Sequence, residues 1–115
     1  MRIYVAGPMT TRGDVYANME QAIRAADWLM RIGHSPYLPH LTLFWNFISH
    51  HTWEEWLQLD ESWLALCDCL VRLPGESKGA DREVAFCEAR GIPVHIGMEA
   101  LMNAIDLHDL DKGIK

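Results

Sequence analysis

The sequence predicts an α/β fold with a mostly parallel sheet, and three observations support this prediction. Short runs rich in β-branched and aromatic residues alternate with longer stretches whose apolar residues recur at helical spacing. Glycine or proline stands at most of the junctions between them. The length of 115 residues and the hydrophobic fraction of 50% fit one domain, residues 1–115, with a small core.

The first half of the chain predicts two strands with a long helix between them. In order, these are a buried strand RIYVA, a helix over residues 15–32 and a short strand HSPYLPH that two prolines interrupt. Gly7 and Pro8 end the first strand. Asp14 is a suitable N-cap for the helix, and Gly33 ends it. The next stretch, LTLFWNFISHH, is very apolar and is interpreted as a loop with a helical turn.

The second half predicts three helices and two strands. Thr52 and Glu55 form a capping box that opens a helix from Trp53 to about Cys67. The elements that follow are a strand CLVRL, a helix ADREVAFCEAR, a strand IPVHI and a helix MEALMNAI. The polar tail, residues 106–115, is expected to be flexible. Ligands of such sheets bind beyond the carboxyl ends of the strands, which points to the loops after Ala6, Pro39 and Leu73.

Composition excludes several classes of function. The formal charge of -6, without a basic stripe, argues against a nucleic-acid polymer as partner. No apolar run is long enough to cross a bilayer, and a strand-like run directly after Met1 predicts that no signal peptide is present. The three cysteines are odd in number and lack a second matching pair, which indicates reduced thiols in a cytoplasmic protein and no zinc or other metal site.

Asp60 is a carboxylate within an apolar helix face. That predicted face consists of Trp53, Trp56, Leu57, Asp60, Trp63, Leu64 and Cys67. A buried charge costs several kcal/mol unless it is paired, hydrogen-bonded or protonated. A dry site would raise the pKa of Asp60, which suits a proton donor or a partner for a substrate group. The alternative is a structural aspartate that accepts hydrogen bonds from a neighbouring loop.

Glu83 follows the glycine-containing loop PGESKGA, in the first turn of the predicted helix. There the positive end of the helix macrodipole favours an ionised carboxylate, as a nucleophile or base requires. The alternative is a solvated capping group, which is common at such positions. The loop supplies Ser77, Gly79 and free N–H groups that can cradle a phosphate or a carboxylate, although its spacing does not match a Walker A loop.

Tyr4 and three histidines complete the candidates from the residues alone. A tyrosine within a strand is usually a core residue, but the Tyr4 hydroxyl can reach the strand end and contact a carboxylate there. His40, His50 and His51 flank the ambiguous apolar stretch without the spacing of metal ligands. They are interpreted as loop residues that can line a pocket.

Three pieces of the chain together resemble a known family. YVAGPM on the first strand, DESWLALCD on the middle helix and SKGADREVAFCEARGIPV resemble the nucleoside 2-deoxyribosyltransferase-like family. That family includes nucleoside deoxyribosyltransferases and 2'-deoxynucleoside 5'-phosphate N-hydrolases, and the resemblance runs from Arg2 to about Ile96. It implies a flavodoxin-like three-layer sandwich with four or five strands. It also implies cleavage of the N-glycosidic bond of a small nucleoside or nucleotide, without a cofactor.

The resemblance also implies roles for individual residues. Glu83 matches the nucleophile that attacks the anomeric carbon, Asp60 matches the aspartate that assists the leaving base or holds the sugar, and Tyr4 matches the tyrosine that orients the nucleophile. Ser77 matches the serine with which the nucleotide hydrolases contact the 5'-phosphate, whereas the transferases carry aspartate there. Pro8 instead follows the transferase pattern, so the two positions point to different branches.

The substrate is expected against the loops at the strand ends. The predicted binding residues are Gly7, Pro8, Met9, Thr10, Arg12, His40, Ser77 and Gly79, and Thr10, Thr11 and Arg12 can form an anion site in the first loop. The family often completes its pocket with a residue of a neighbouring subunit, for which Asn103 is a candidate. A homodimer or a larger homo-oligomer is therefore expected.

Three functions stay open on the sequence. The first is hydrolysis of the N-glycosidic bond of a nucleoside 5'-monophosphate, which Ser77 and Arg12 favour. The second is transfer of a deoxyribosyl group between bases, and the third is a non-catalytic nucleotide-binding module. The base and the sugar are open in each case.

Overall fold

A computed structural model describes residues 1–10 and 14–111 of the chain. The strands are β1 (Arg2–Ala6), β2 (Ser35–Tyr37), β3 (Cys69–Arg72) and β4 (Val94–Ile96). The helices are α1 (Val15–Arg31), α2 (Thr42–Ile48), α3 (Trp53–Leu64), α4 (Lys78–Arg90) and α5 (Met98–Asp111), and a short 3-10 helix (Pro39–Leu41) precedes α2.

The four strands form one parallel sheet in the order β2-β1-β3-β4. The chain runs outwards from β1 to β2 and then, on the other side, from β3 to β4. The order therefore switches between β1 and β3, as in flavodoxin-like folds. Tyr4 of β1 is the register partner of Tyr37 on one side and of Leu70 on the other. The α/β class and the parallel sheet predicted from the sequence are confirmed.

Each face of the sheet carries its own core, which makes a sandwich of three layers. On one face, α1 and α5 cover Ile3, Val5 and Val71 with residues such as Leu29 and Leu101. On the other face, α3 and α4 cover a second cluster. Its buried members are Tyr4, Ala6, Leu64, Leu70, Ala80 and Cys87. Tyr4 and Cys87 therefore lie on the same side of the sheet as the predicted carboxylates, Asp60 of α3 and Glu83 of α4.

Local capping explains where the helices begin. The Asp14 carboxylate accepts a hydrogen bond from the Ala17 N–H at 3.0 Å, which starts α1. The predicted capping box of α3 is present, since Thr52 and Glu55 each accept from the other's backbone N–H. Ser77 caps α4, so this helix begins at Lys78, two residues before the predicted start.

Four predictions about helices differ from the structure. The stretch interpreted as a loop forms the seven-residue helix α2, and α3 ends at Leu64 instead of Cys67. Trp53 and Trp63, predicted on the buried face of α3, are 59% and 50% exposed, because α3 packs only through the narrower stripe of Leu57, Asp60 and Leu64. Helix α5 continues to Asp111, and residues 112–115 lie outside the described part of the chain.

No helix in the described ranges has the length and the apolar character needed to cross a membrane. The cysteines, Cys67, Cys69 and Cys87, are free thiols.

Candidate active site

A cavity of about 800 Å³ opens at the carboxyl ends of β1 and β3, the position that the sheet topology predicts. Its volume suits a ligand of nucleotide size. Eight of the predicted site residues line it: Gly7, Met9, Thr10, His40, Asp60, Ser77, Gly79 and Glu83. Tyr4 does not line the cavity itself but is hydrogen-bonded to Glu83, which does. Thr11 and Arg12 lie outside the described residues.

Tyr4 and Glu83 form the innermost contact of the site. The Tyr4 hydroxyl donates a hydrogen bond to Glu83 Oε2. Tyr4 is fully buried and Glu83 is 4% exposed. The sequence-based expectation that Tyr4 can reach a carboxylate at the strand end is confirmed. Because one oxygen of Glu83 is held by Tyr4, the other can face a ligand in the cavity.

The protonation predicted for Glu83 is corrected by the structure. Glu83 lies in the second turn of α4, not the first, because the helix begins at Lys78. Burial raises the pKa of Glu83 to about 8, against the lowering effect of the Tyr4 hydrogen bond, and the charge of Asp60 adds to the rise. Desolvation thus outweighs the helix macrodipole, whose effect fades beyond the first turn.

Asp60 lies on α3, opposite α4, and is 5% exposed. Burial raises its pKa to about 7, as predicted, while a hydrogen bond from Tyr37 opposes the rise. The Tyr37 hydroxyl donates to Asp60 Oδ1 at 3.3 Å. Two carboxyl groups with raised pKa values therefore face one cavity, and each accepts a hydrogen bond from a strand tyrosine.

The two helices that carry these carboxyl groups are joined by one arginine. Arg82, next to Glu83, donates from Nε to Glu61 at 3.0 Å and also pairs with Glu54 at 2.8 Å. Both partners belong to α3, and Glu61 is next to Asp60. This ion-pair cluster joins α3 to α4 close to Asp60 and Glu83. The sequence analysis did not predict it.

The start of α4 forms a second wall of the cavity. Ser77 is buried, and its Oγ accepts a hydrogen bond from the Ala80 N–H at 3.1 Å. The hydroxyl proton can therefore be donated to a ligand. Lys78 and Gly79 line the cavity beside it, and the first N–H groups of a helix have no acceptor within the helix. Positive charge, N–H groups and a hydroxyl suit a bound anion.

The loop before α4 is held by Arg72, a residue that the sequence did not single out. Its guanidinium donates to the carbonyl oxygens of Leu73 at 2.5 Å and Gly75 at 2.9 Å. Gly75 has a φ of 115°, and a Cβ there would lie 2.6 Å from Cγ of Pro8. Pro8 thus packs between the two loops, and the cavity-lining residues around it are Gly7 and Met9.

His40 is fully buried at the inner side of the cavity. Its Nε2 is 3.0 Å from the Pro8 carbonyl oxygen, to which an Nε2–H donates. Burial lowers the pKa of His40, so the imidazole is neutral at physiological pH. His40 was predicted as a pocket-lining loop residue, and it lies within the 3-10 helix.

An aromatic wall lies on the α2 side of the cavity, where Asn46, His51 and Trp56 line it and Trp45 packs against the rings of His51 and Trp56. We use this name for Trp45, Asn46, His51 and Trp56. Asn46 Oδ1 accepts from Trp56 Nε1 at 2.8 Å and from the His51 N–H at 2.9 Å. The rings of Trp45, His51 and Trp56 meet edge to face, with centroids 5.1 to 6.5 Å apart. Asn46 organises this wall, and the sequence did not single it out.

The described residues contain no group of three or more His, Cys, Asp or Glu side chains that could hold a metal ion. The predicted partner-subunit residue, Asn103, lies exposed on α5. The predicted homo-oligomer stays a prediction.

Comparison with known proteins gives a family and a fold. The family described as "Domain of unknown function (DUF4406)" matches residues 1–96. No curated protein matches the chain.

Three solved structures share the fold. A 2-deoxyribosyltransferase from Bacillus psychrosaccharolyticus has 19% identity and a TM-score of 0.64, over 84% of this chain and 71% of that one. A 2-deoxyribosyltransferase from Leishmania mexicana has 18% identity and a TM-score of 0.60, over 83% of this chain and 62% of that one. A conserved protein from Enterococcus faecalis V583 has 22% identity and a TM-score of 0.66, over 96% of this chain and 74% of that one.

Proposed function

This chain belongs to the DUF4406 family, and we propose that it is an enzyme that hydrolyses the N-glycosidic bond of a (2'-deoxy)nucleoside 5'-monophosphate. The observation that carries the proposal is the pair of buried carboxyl groups, Asp60 and Glu83, on one nucleotide-sized cavity. Glycoside cleavage needs two such groups, one to stabilise or attack the sugar and one to move a proton. The shared fold of two 2-deoxyribosyltransferases supports the same class of chemistry.

In the first step Glu83 is the nucleophile. Its carboxylate oxygen that is not held by Tyr4 forms a bond to the anomeric carbon C1', and the C1'–N bond breaks with its electron pair moving to the base. The proton of the Asp60 carboxyl group passes to the leaving base. Tyr4 keeps the attacking carboxylate in one orientation, which the full burial of its ring supports.

In the second step water replaces the base. The ionised Asp60 takes a proton from a water molecule, whose oxygen bonds to C1' as the bond between C1' and Glu83 breaks. The sugar is released with its original anomeric configuration, and both carboxyl groups return to their starting states.

The raised pKa values suit this cycle. The pair titrates with pKa values of about 7 and about 8, so between these values the two carboxyl groups hold one proton. The reaction needs one proton in the pair. Glu83 has the higher pKa, so the reactive form, with Glu83 ionised, is the less populated one. That costs only about 1.4 kcal/mol for each pKa unit of difference.

The start of α4 supports a 5'-monophosphate rather than a free 5'-hydroxyl. Ser77, Lys78 and Gly79 line the cavity and combine a hydroxyl, an ammonium group and helix N–H groups. A phosphate at this position would also gain from the positive end of the helix macrodipole.

The second candidate is transfer of the deoxyribosyl group to another base. The aromatic wall favours it, because Trp56 and its neighbours offer faces and edges on which an incoming base can pack while water is excluded. In that reaction the second base, instead of water, attacks the glycosyl-enzyme.

Base release from a panel of nucleosides and their 5'-monophosphates, with and without added free base, tests the proposal by chromatography. We expect release from monophosphates, its loss in E83Q, and wild-type rates in E88Q, which changes an exposed glutamate of the same helix. If bases are exchanged only when free base is added, the proposed function becomes deoxyribosyl transfer instead of hydrolysis. If the folded wild type binds nucleotides but cleaves none, the protein is a non-catalytic nucleotide-binding module and the proposal is refuted.

A further inference from the structure

Tyr37 places a second tyrosine hydroxyl on the second carboxyl group of the site. Tyr37 is the last residue of β2 and the register partner of Tyr4 in β1. Tyr4 donates to Glu83, and Tyr37 donates to Asp60. Neighbouring positions of two adjacent strands thus each hold one of the two acids.

The ring of Tyr37 is held in place independently of its hydroxyl group. It stacks on Tyr4, with centroids 5.3 Å apart and planes at 24°. Its other neighbour is Trp63, with centroids 6.2 Å apart and planes at 21°. Stacking of this kind persists when tyrosine is replaced by phenylalanine. Y37F therefore removes the hydrogen bond to Asp60 and leaves the ring.

We propose that Tyr37 is the positioning residue of Asp60, and this inference rests on the proposed function. The Tyr37 hydroxyl donates to Oδ1, so Oδ1 is the acceptor oxygen of the protonated carboxyl group. The acidic proton is then on Oδ2, where it can point to the leaving base. Once that proton has moved, the same hydrogen bond stabilises the carboxylate that remains.

Among the described residues, no other group around Asp60 duplicates this contact. In addition to burial, the charge of Glu61 of α3 raises the pKa of Asp60, and the charge of Asp60 in turn raises the pKa values of Glu83 of α4 and Tyr4 of β1. Tyr37, by contrast, donates a hydrogen bond directly to Asp60. Loss of the hydroxyl should therefore raise the pKa of Asp60, and it should slow proton transfer because the carboxyl group loses the contact that orients its proton towards the leaving base.

Two substrates with different leaving groups test the inference. An ordinary purine nucleotide needs a proton on its base, whereas its N7-methylated form already carries a positive charge and leaves without one. We expect Y37F to lower the single-turnover rate of base release, which reports the first step alone, roughly 10-fold for the ordinary substrate, less than the 10²- to 10⁴-fold typical of losing a general acid altogether. For the methylated substrate we expect the same single-turnover rate to change less than about 2-fold, and the substrate concentration that gives half the maximal rate should stay the same for both.

Two variants serve as references. Y4F acts through the nucleophile and should slow both substrates equally. Y16F removes an exposed tyrosine hydroxyl on α1 and should slow neither. Equal losses on the two substrates in Y37F, or no loss at all, would overturn the assignment of Tyr37 to Asp60.

A titration that needs no turnover separates this inference from the proposed function. The carboxyl carbon of Asp60 can be followed by NMR against pH in wild type, Y37F and Y16F. We expect a higher pKa for Asp60 in Y37F and the wild-type value in Y16F. If the wild type cleaves no nucleotide, the proposed function fails while this titration still decides the contact. An unchanged pKa in Y37F would refute it.

Discussion

The two walls of the cavity are built in different ways. The acid wall, which we define as Tyr4, Tyr37, Asp60 and Glu83, stands on the central strand β1, the edge strand β2 and two helices that pack on the sheet. Its two carboxyl groups are 5% or less exposed. The aromatic wall stands on α2 and the start of α3, and α2 has no buried residue. Groups that must keep their geometry lie in the core, while groups that can select a base lie on a loosely packed segment.

Of the changes considered for the two walls, removal of the acid Asp60 should have the largest effect on the rate of base release. D60N keeps the size of the side chain but has no proton to give, so we expect base release from an ordinary nucleotide to fall about 10²- to 10⁴-fold. In a single turnover, which reports the first step alone, a nucleotide with an N7-methylated base should lose far less, because its base leaves without a proton.

D27N is the matched control for D60N, because Asp27 is a half-exposed aspartate of α1 that pairs with Arg31 on the protein surface. Equal rates for D60N and the wild type on the ordinary substrate would show that Asp60 does not supply the proton. The acid wall would then contain one functional carboxyl group.

The pH dependence of the reaction should be set by the two carboxyl groups of the acid wall and not by the aromatic wall. Below about pH 7 both carboxyl groups are protonated and Glu83 cannot attack. Above about pH 8 both are ionised and no proton reaches the base. We expect a bell-shaped dependence of kcat/KM with its maximum between these values and a roughly 10-fold fall per pH unit outside them. A flat profile from pH 5 to 10 contradicts the two-carboxyl mechanism.

Stability should also depend on the acid wall. Asp60 and Glu83 have folded-state pKa values of about 7 and about 8, above the ordinary values of 3.8 and 4.5 that they have when unfolded. Their contribution is fully present below about pH 4 and is lost as the pH rises through 7 and 8. We therefore expect D60N and E83Q to raise the free energy of unfolding above pH 8, each by on the order of 2 kcal/mol.

Urea unfolding at pH 4 and pH 9 measures this effect. The gain in D60N and E83Q should be small at pH 4 and largest at pH 9, while E88Q should behave as the wild type at both. Destabilised variants at pH 9 would mean that the ionised carboxylates are favourably paired in the folded protein.

The acid wall was far easier to predict from the sequence than the aromatic wall. Asp60 stands out because a carboxylate interrupts an apolar helix face, and Glu83 because it follows a loop with glycines at a strand end. The protonation of Glu83 was predicted wrongly, since burial depends on tertiary packing that a single helix does not reveal. Tyr37 was missed because a tyrosine in a short, proline-containing strand resembles any core residue.

The aromatic wall was predicted only in part, through the pocket-lining role of His51, and the rest was missed for a different physical reason. The stretch LTLFWNFISHH is apolar on all sides, so it lacks the periodic contrast from which a helix face is assigned. In the structure, Phe44, Phe47 and Ile48 point outwards and are strongly exposed, while Thr42, Leu43 and Asn46 line the cavity. Hydrophobicity gave no information on which side faces the ligand.

The smallest effect should come from the aromatic wall, through Asn46. N46A removes the acceptor shared by Trp56 Nε1 and the His51 N–H, whose loss we expect to loosen the base-packing surface. A neutral hydrogen bond contributes about 1 kcal/mol, which corresponds to a rise in KM of roughly 3- to 10-fold. Because the acid wall is untouched, kcat and the pH profile should stay at wild-type values. Q58A, in an exposed glutamine of α3, is the control. A fall in kcat with an unchanged KM would mean that the two walls act together in the chemical step.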